Sequence, residues 1–248
     1  GLSLGAAGLG EASVADSGPA PAGPALQPAV EVMFVADRDG TTQRYLECLP
    51  VGFDREAEHH VLIALHGHGS DRHQYVSDPR GECRGARDTA ARHGLIFVSP
   101  DYRAKTSWMG PAAEANLVQI IAGLGQRHRV GKVFLVGGSM GGTSALTFAA
   151  LHPELIAGVS SQNGTANHLE YRGFQDAIRA SFGGGKAEIP EEYKRRSAEY
   201  WPERLTMPLA LTAGGQDTVV PAASALRLAG VLQELGRPVL LLYRPDGG

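Results

Sequence analysis

Short apolar runs alternate with helical segments along most of the chain, and this alternation constrains the fold more than any other feature. Val61 to Leu65 is a continuous apolar run, as expected of a parallel strand buried on both faces. Segment 112–127 carries Leu117, Ile120 and Leu124 on one stripe, which indicates an amphipathic helix. We expect strands at 30–36, 43–49, 61–65, 95–99, 132–136, 156–160, 209–212 and 239–243, and helices at 86–93, 112–127, 140–151 and 222–235.

Strands that alternate with helices of this length predict an α/β fold, with a mostly parallel sheet and helices on both faces. The turn between the first two strands, Asp37-Arg38-Asp39-Gly40, indicates that this pair is antiparallel. Residues 165–204 interrupt the alternation of strands and helices because they are polar and only partly helical. They predict a small helical insertion between the strands at 156–160 and 209–212.

Residues 1–29 differ from the rest in being rich in Pro, Ala and Gly. Ser13-Val14-Ala15 has the small residues of a signal-peptidase site, so this stretch is interpreted as part of a signal peptide or as a disordered leader. The first interpretation predicts a secreted or periplasmic protein, and the second a cytoplasmic one. In either case we exclude residues 1–29 from the core and assign the domain to residues 30–248.

The composition argues against several classes of function. A chain of 248 residues suits one α/β domain, and its net charge of −3 argues against a nucleic-acid partner. No run is long and apolar enough to span a membrane. No Cys/His cluster has metal-ligand spacing, so we expect neither a metal nor another cofactor. Cys48 and Cys83 are expected to be buried thiols, with a disulfide between them as the alternative in a secreted protein.

The motif that carries chemistry is Gly137-x-Ser139-x-Gly141, between the predicted strand at 132–136 and the predicted helix at 140–151. A serine on so sharp a turn points its hydroxyl out of the sheet, and the two glycines leave room for strand and helix to approach. The pattern alone arises by chance in a glycine-rich chain, so this context is what makes Ser139 a candidate nucleophile. A phosphate-binding loop is disfavoured because no lysine follows at the required spacing.

Two further motifs follow predicted strands. Leu65-His66-Gly67-His68-Gly69 ends the strand at 61–65, and Gly214-Gly215-Gln216-Asp217-Thr218-Val219-Val220-Pro221 follows the strand at 209–212. Asp217 is either a catalytic acid or a cap of the helix that follows. Two histidines at positions i and i+2 could also bind a metal, but no third ligand is in view.

Together the three motifs resemble the α/β-hydrolase superfamily over residues 30–248. Within it, Gly138-Ser139-Met140-Gly141-Gly142 is similar to the esterase D, feruloyl esterase and polyhydroxybutyrate depolymerase group, with the prolyl oligopeptidase catalytic domain as a near relative. The resemblance implies that Ser139 is the nucleophile, that Asp217 is the acid, and that the backbone N–H groups of His68 and Met140 form the oxyanion hole. His66 is expected to be a structural hydrogen-bonding residue under the loop.

The remaining site residues are less constrained by the motifs. On this fold the triad order is Ser, Asp, His, whereas all nine histidines precede Asp217. We therefore expect the catalytic histidine just after Gly248, in a chain truncated at its C-terminus, with His168 in the insertion as the alternative. Because ligands bind beyond the carboxyl ends of parallel strands, Tyr102, Trp108 and Asn163 are candidate pocket residues.

The leading interpretation is a serine hydrolase that cleaves carboxylic esters through an acyl-enzyme, acting on a small-molecule or carbohydrate-linked ester. A prolyl-oligopeptidase-like serine peptidase is one alternative, because fold and triad do not separate esters from peptides. A binding protein that has the hydrolase fold but no catalysis is another.

Overall fold

The computed structural model describes residues 25–248 as an eight-stranded, mostly parallel sheet in the order β1-β2-β4-β3-β5-β6-β7-β8. β1 is antiparallel to β2, β2 is antiparallel to β4, and all other neighbours are parallel. The strands are β1 Val30–Val35, β2 Thr42–Cys48, β3 His59–Leu65, β4 Ile96–Pro100, β5 Val130–Gly138, β6 Gly158–Gln162, β7 Leu209–Gly214 and β8 Val239–Arg244. The helices are α1 Gln74–Ser77, α2 Gly81–Arg92, α3 Pro111–Arg127, α4 Met140–Leu151, α5 Gln175–Phe182, α6 Pro190–Arg195 and α7 Ala223–Glu234.

Helices cover both faces of the sheet, and the central strand β3 shows how. Val61, Ile63 and Leu65 belong to the larger core, which they share with α3, α4 and α7. Leu62 and Ala64 point the other way, into a smaller core that includes α2. A strand buried on both sides must be apolar at every position, which is why its continuous apolar run predicted it correctly.

The parallel strands β3, β5, β6 and β7 end at the same edge of the sheet. In the ladder, Leu65 lies beside Gly137, Gly138 beside Gln162, and Gln162 beside Thr212. The loops that follow these strands carry all three motifs, so segments far apart in the sequence converge at one edge.

The helical insertion lies between β6 and β7, as predicted, and contains α5, α6 and two short 3-10 turns, Ala198–Tyr200 and Pro202–Arg204. β6 itself runs two residues later than the predicted 156–160. Ile156 is buried ahead of the ladder, whereas the polar residues Ser160 to Gln162 belong to it. The apolar residue Ile156 is buried but does not pair with another strand, so the apolar pattern placed the start of β6 too early.

Part of the predicted leader contacts the domain. Leu26 forms an isolated bridge with Pro50 and packs against the smaller core, and the Gln27 N–H donates to the Leu49 carbonyl at 2.7 Å. The domain therefore begins before Val30. The rest of the leader hypothesis concerns residues 1–24, which lie outside the described residues, and secretion stays a prediction.

Cys48 and Cys83 are both free thiols, 4% and 0% exposed, and burial raises the pKa of each to about 11. Across residues 25–248 we find no helix that combines the length and the apolar composition needed to cross a membrane.

Candidate active site

Ser139 occupies a strained turn between β5 and α4. Its backbone has φ 55° and ψ −119°, a conformation that L-residues rarely adopt and that costs about 1–3 kcal/mol. A Cβ at Gly141 would overlap the carbonyl oxygen of Leu65, and a Cβ at Gly137 would overlap the backbone of Gly141. Both positions therefore require glycine, and their close packing holds the serine in its unusual conformation.

Ser139 lines a cavity of about 990 Å³ at the carboxyl edge of the sheet. This volume is at the upper end of the range of roughly 300–1,000 Å³ for small-molecule sites. The cavity brings together residues from all the loops that follow β3, β5, β6 and β8. Among its lining residues are His68, Gln162, Asn163, Phe174 and Gly248.

The two amides proposed for the oxyanion hole belong to neighbouring loops. His68 follows β3 and Met140 follows β5, and these two strands are adjacent in the sheet. Within residues 25–248, neither N–H group donates a hydrogen bond to another protein group. Met140 is also the first residue of α4, where the helix dipole favours negative charge. Both amides are thus free to bind an anionic oxygen.

Asp217 uses its two carboxylate oxygens differently. Oδ1 accepts hydrogen bonds from the N–H groups of Val219 and Val220, at 2.9 and 2.8 Å. Oδ2 accepts only a long hydrogen bond, 3.4 Å, from Asn163 Nδ2 among the described residues. One oxygen therefore organises the loop before α7, while the other retains capacity for a stronger donor.

Asn163 connects the Asp217 loop to the serine cavity. Its φ is 51°, and its side-chain Oδ1 accepts a hydrogen bond from Thr212 Oγ1 at 2.9 Å. Its backbone N–H donates to the Thr212 carbonyl at 3.0 Å. These bonds fix the amide so that Nδ2 points toward Asp217 while the residue lines the cavity.

The C-terminal glycines lie against the Asp217 loop. The Gly247 carbonyl accepts a hydrogen bond from the Gln216 N–H at 2.8 Å. A Cβ on Gly248 would stand 3.9 Å from the Asp217 nitrogen. The residue position that follows β8 and its turn is therefore next to the backbone of the Asp217 loop.

A model of the prolyl oligopeptidase family matches residues 118–248, just over half of the chain. The chain belongs to this family. The matched region contains β5 with Ser139, the insertion, and the Asp217 loop, so it covers most of the site. A search of curated proteins with this sequence found no match.

Solved structures agree on the fold of this prolyl oligopeptidase family member. A thermostable esterase aligns at 19% identity and a TM-score of 0.65, over 87% of this chain and 54% of the esterase. Pyrococcus horikoshii acylaminoacyl peptidase aligns at 16% identity and 0.69, over 90% of this chain and 37% of the peptidase. A ferulic acid esterase aligns at 17% identity and 0.68, over 89% of this chain and 90% of the esterase.

The chain therefore spans about half of the thermostable esterase and little more than a third of the peptidase. Identities this low show the fold alone. The predicted α/β-hydrolase fold and superfamily are confirmed, and the family is the one that the sequence suggested as a near relative.

His168, the alternative base, lies away from the cavity in this family member. It is fully buried, its Nε2 is 3.3 Å from Thr147 Oγ1, and burial lowers its pKa to about 3. It packs edge-on against Trp108, at 6.5 Å between ring centroids. His168 is not among the residues that line the cavity with Ser139.

His66 lies under the loop, as expected. Its ring nitrogens face the carbonyl oxygens of Gly67 and Asp101, at 2.8 and 3.1 Å, and burial lowers its pKa. No group of three His, Cys, Asp or Glu side chains suited to a metal ion occurs in the part of the chain that the structure describes.

Tyr102 and Trp108 do not line the serine cavity, in contrast to the prediction. Both are buried, at 1% and 0% exposure. The Tyr102 hydroxyl donates to the His66 carbonyl at 2.6 Å, and the Trp108 indole N–H donates to His68 Nδ1 at 3.2 Å. Both side chains therefore support the His66–His68 loop, and neither lines the cavity.

Phe174 is a cavity residue that the sequence did not reveal. It has a φ of 50° in the insertion, and its ring packs against that of His68 in a tilted arrangement, 4.2 Å between centroids. No motif surrounds it, and an aromatic residue in an irregular segment is most often part of a core. Only the packing of the insertion over the sheet edge identifies it.

Proposed function

We propose that this chain carries the nucleophile, the acid and the oxyanion hole of a serine hydrolase that cleaves carboxylic esters through an acyl-enzyme. The strained Ser139, held between two glycines that tolerate no Cβ, is the observation that carries the proposal. Strain of this kind persists where the surrounding structure enforces it, and it positions the hydroxyl at the cavity surface.

In the proposed reaction, Ser139 Oγ loses its proton to a base and attacks the ester carbonyl carbon. The N–H groups of His68 and Met140 stabilise the oxyanion, and each such donor is typically worth about 3–4 kcal/mol. Collapse of the tetrahedral intermediate breaks the bond to the alcohol oxygen, which takes the proton from the base. Water then attacks the acyl-enzyme in the same way and releases the acid.

The base in this proposal is a histidine that follows Gly248. Support comes from the position of the C-terminal glycines beside the Asp217 loop and from the spare capacity of Asp217 Oδ2. A carboxylate there would fix the tautomer of the imidazole and stabilise the imidazolium formed during attack.

A serine peptidase is the second candidate, because the family match favours it. Both reactions use the same nucleophile and oxyanion hole, and they differ in the leaving group. A panel of acetyl, feruloyl and sugar esters, compared with acylated and proline-containing peptide anilides, separates the two. We expect kcat/KM to be higher for the esters, and the reverse order would favour the peptidase.

The first prediction tests the nucleophile. In the full-length protein, a fluorophosphonate should label Ser139 alone, and Ser139→Ala should abolish labelling and lower kcat/KM by at least about 10⁴-fold. The control variant is Ser70→Ala, which removes another hydroxyl of the same cavity and should leave the label in place.

Label that persists in Ser139→Ala would contradict the assignment. A folded wild-type protein that takes no label and cleaves no ester or peptide would favour a binding role for the cavity.

A further inference from the structure

The side chain of His68 has a defined proton position, because Trp108 determines it. The indole Nε1 lies 3.2 Å from His68 Nδ1. An indole N–H only donates, so Nδ1 accepts and carries no proton. A neutral imidazole whose Nδ1 accepts must carry its hydrogen on Nε2.

Trp108 is itself held firmly. Its side chain is fully buried and packs against Tyr171 and Phe174, with ring centroids 5.5 and 5.4 Å apart. The next carbonyl, that of Met109, accepts a hydrogen bond of 2.6 Å from the buried guanidinium of Arg196. These contacts keep the indole N–H directed at the His68 ring.

The other nitrogen of His68 has no such partner. Nε2 makes no hydrogen bond to any residue between 25 and 248, although the ring is only partly exposed and lines the Ser139 cavity. Burial also lowers the pKa of this imidazole, which favours its neutral form. The cavity wall therefore contains an unpaired N–H donor in addition to the backbone amides.

We propose that His68 is a substrate-binding residue whose Nε2–H donates to a second oxygen of the bound ester, and that Trp108 positions it. This inference rests on the proposed function and adds a substrate class, namely esters whose acyl or alcohol part carries a further oxygen acceptor. The same geometry assigns His68 no role as general base, since a nitrogen that bears a proton cannot take one from Ser139.

The first test reads the tautomer directly. In full-length protein labelled with ¹⁵N-histidine, nitrogen shifts at neutral pH should show an unprotonated Nδ1 and a protonated Nε2 for His68, with His68→Gln used to assign the signals. Trp108→Phe keeps a ring but removes the donor, and it should give a mixture of tautomers. Trp201→Phe, which removes the indole donor to the Lys194 carbonyl, should leave the His68 signals unchanged.

A wild-type His68 with its proton on Nδ1 would overturn the inference, and so would an unchanged tautomer in a folded Trp108→Phe protein. Neither readout depends on activity. Fluorophosphonate labelling of Ser139 in the same samples reports separately on the proposed function, so the two failures are distinguishable.

The second test reads selectivity. Two esters that differ only by one methoxy or hydroxyl oxygen should be discriminated by kcat/KM, with the oxygen-bearing ester preferred. His68→Leu should reduce this preference about tenfold, the size of one neutral hydrogen bond to a ligand. His68→Gln places an amide N–H near the position of Nε2 and should restore part of it. A preference that His68→Leu leaves unchanged would overturn the assignment.

Discussion

At the scale of single residues, the serine turn depends on glycines, which have no Cβ. Gly141 lies in the first turn of α4, where its Cα faces the end of β3. The neighbour that a side chain would meet is the carbonyl oxygen of Leu65, which is backbone and cannot rotate away. The glycine at position 141 is therefore required because α4 packs so closely against the end of β3 that no side chain fits between them.

We expect Gly141→Ala to lower the free energy of unfolding by more than about 2 kcal/mol, since an added methyl group in a packed site forces backbone shifts. It should also slow phosphonylation of Ser139. The matched control is Gly125→Ala in α3, where the site is exposed and no atom lies within 4 Å of the added Cβ. That change should raise stability by about 0.5–1 kcal/mol, because alanine favours helix. Urea denaturation of both variants checks the difference, and equal effects would contradict the steric account.

At the scale of elements, one buried ionic network fastens the insertion to the domain. The side chain of Arg196 is fully buried and bonds to Glu192 in the first turn of α6 and to Glu114 in α3, both at 2.7 Å. His152 and Arg195 also bond to Glu114, at 3.0 and 3.1 Å. Because Arg196 also binds the Met109 carbonyl, the network supports the segment that carries Trp108.

The network predicts a specific dependence on pH. Burial alone would raise the pKa of Glu114, but His152, Arg196 and Arg195 lower it from its usual 4.5 to about 2. A carboxyl group whose pKa is depressed in the folded state contributes stability that is complete above 4.5 and is lost as the pH falls toward 2. Glu114→Gln should therefore lower the free energy of unfolding by roughly 2–3 kcal/mol at pH 7, as expected for the loss of a hydrogen bond to a charged group. The loss should become progressively smaller below pH 4.5.

The control is Glu188→Gln, because the Glu188–Arg179 pair is more than half exposed on both sides. Exposed pairs contribute about 0–1 kcal/mol, so this variant should unfold at nearly the wild-type urea concentration at every pH. A Glu114→Gln penalty that stays constant from pH 7 to pH 3 would rule out the ionic origin.

At the scale of the whole molecule, the domain begins before its first strand. The Val51 N–H donates to the Ala25 carbonyl at 2.9 Å, and Leu26 is partly buried against the smaller core. These contacts close one end of a core that is otherwise formed mainly by β2, β3, β4 and α2.

A chain that begins at Val30 should therefore be less stable than one that begins at Ala25. Loss of the Leu26 contacts and two backbone hydrogen bonds should lower the free energy of unfolding by about 1–2 kcal/mol, which corresponds to a decrease of a few degrees in Tm. Leu26→Ala in the longer chain should reproduce part of the loss. Val30→Ala, at a residue 63% exposed, serves as the control and should have little effect. Identical melting of the two chains would show that these contacts contribute nothing.

Features that arise from local burial and local backbone geometry could be predicted from the sequence. The apolar run of β3, the helices α3 and α4, and the glycine-framed Ser139 all depend on neighbours within a few residues, so pattern and turn chemistry predicted them. The order of strands and motifs then implied that Ser139, His68 and Asp217 lie at one sheet edge.

Which side chains face the cavity depends on contacts that form only in the folded protein. Trp108 and Phe174 are both aromatic residues in irregular segments, yet one supports the His68 loop and the other lies on the cavity surface. Their positions depend on contacts with residues far away in the sequence, such as Arg196 with Met109 and the insertion with the sheet edge. The proton position of His68 has the same origin, because the indole that determines it comes from 40 residues away. Periodicity reports how deeply a residue is buried, whereas these roles depend on which partner it is buried against.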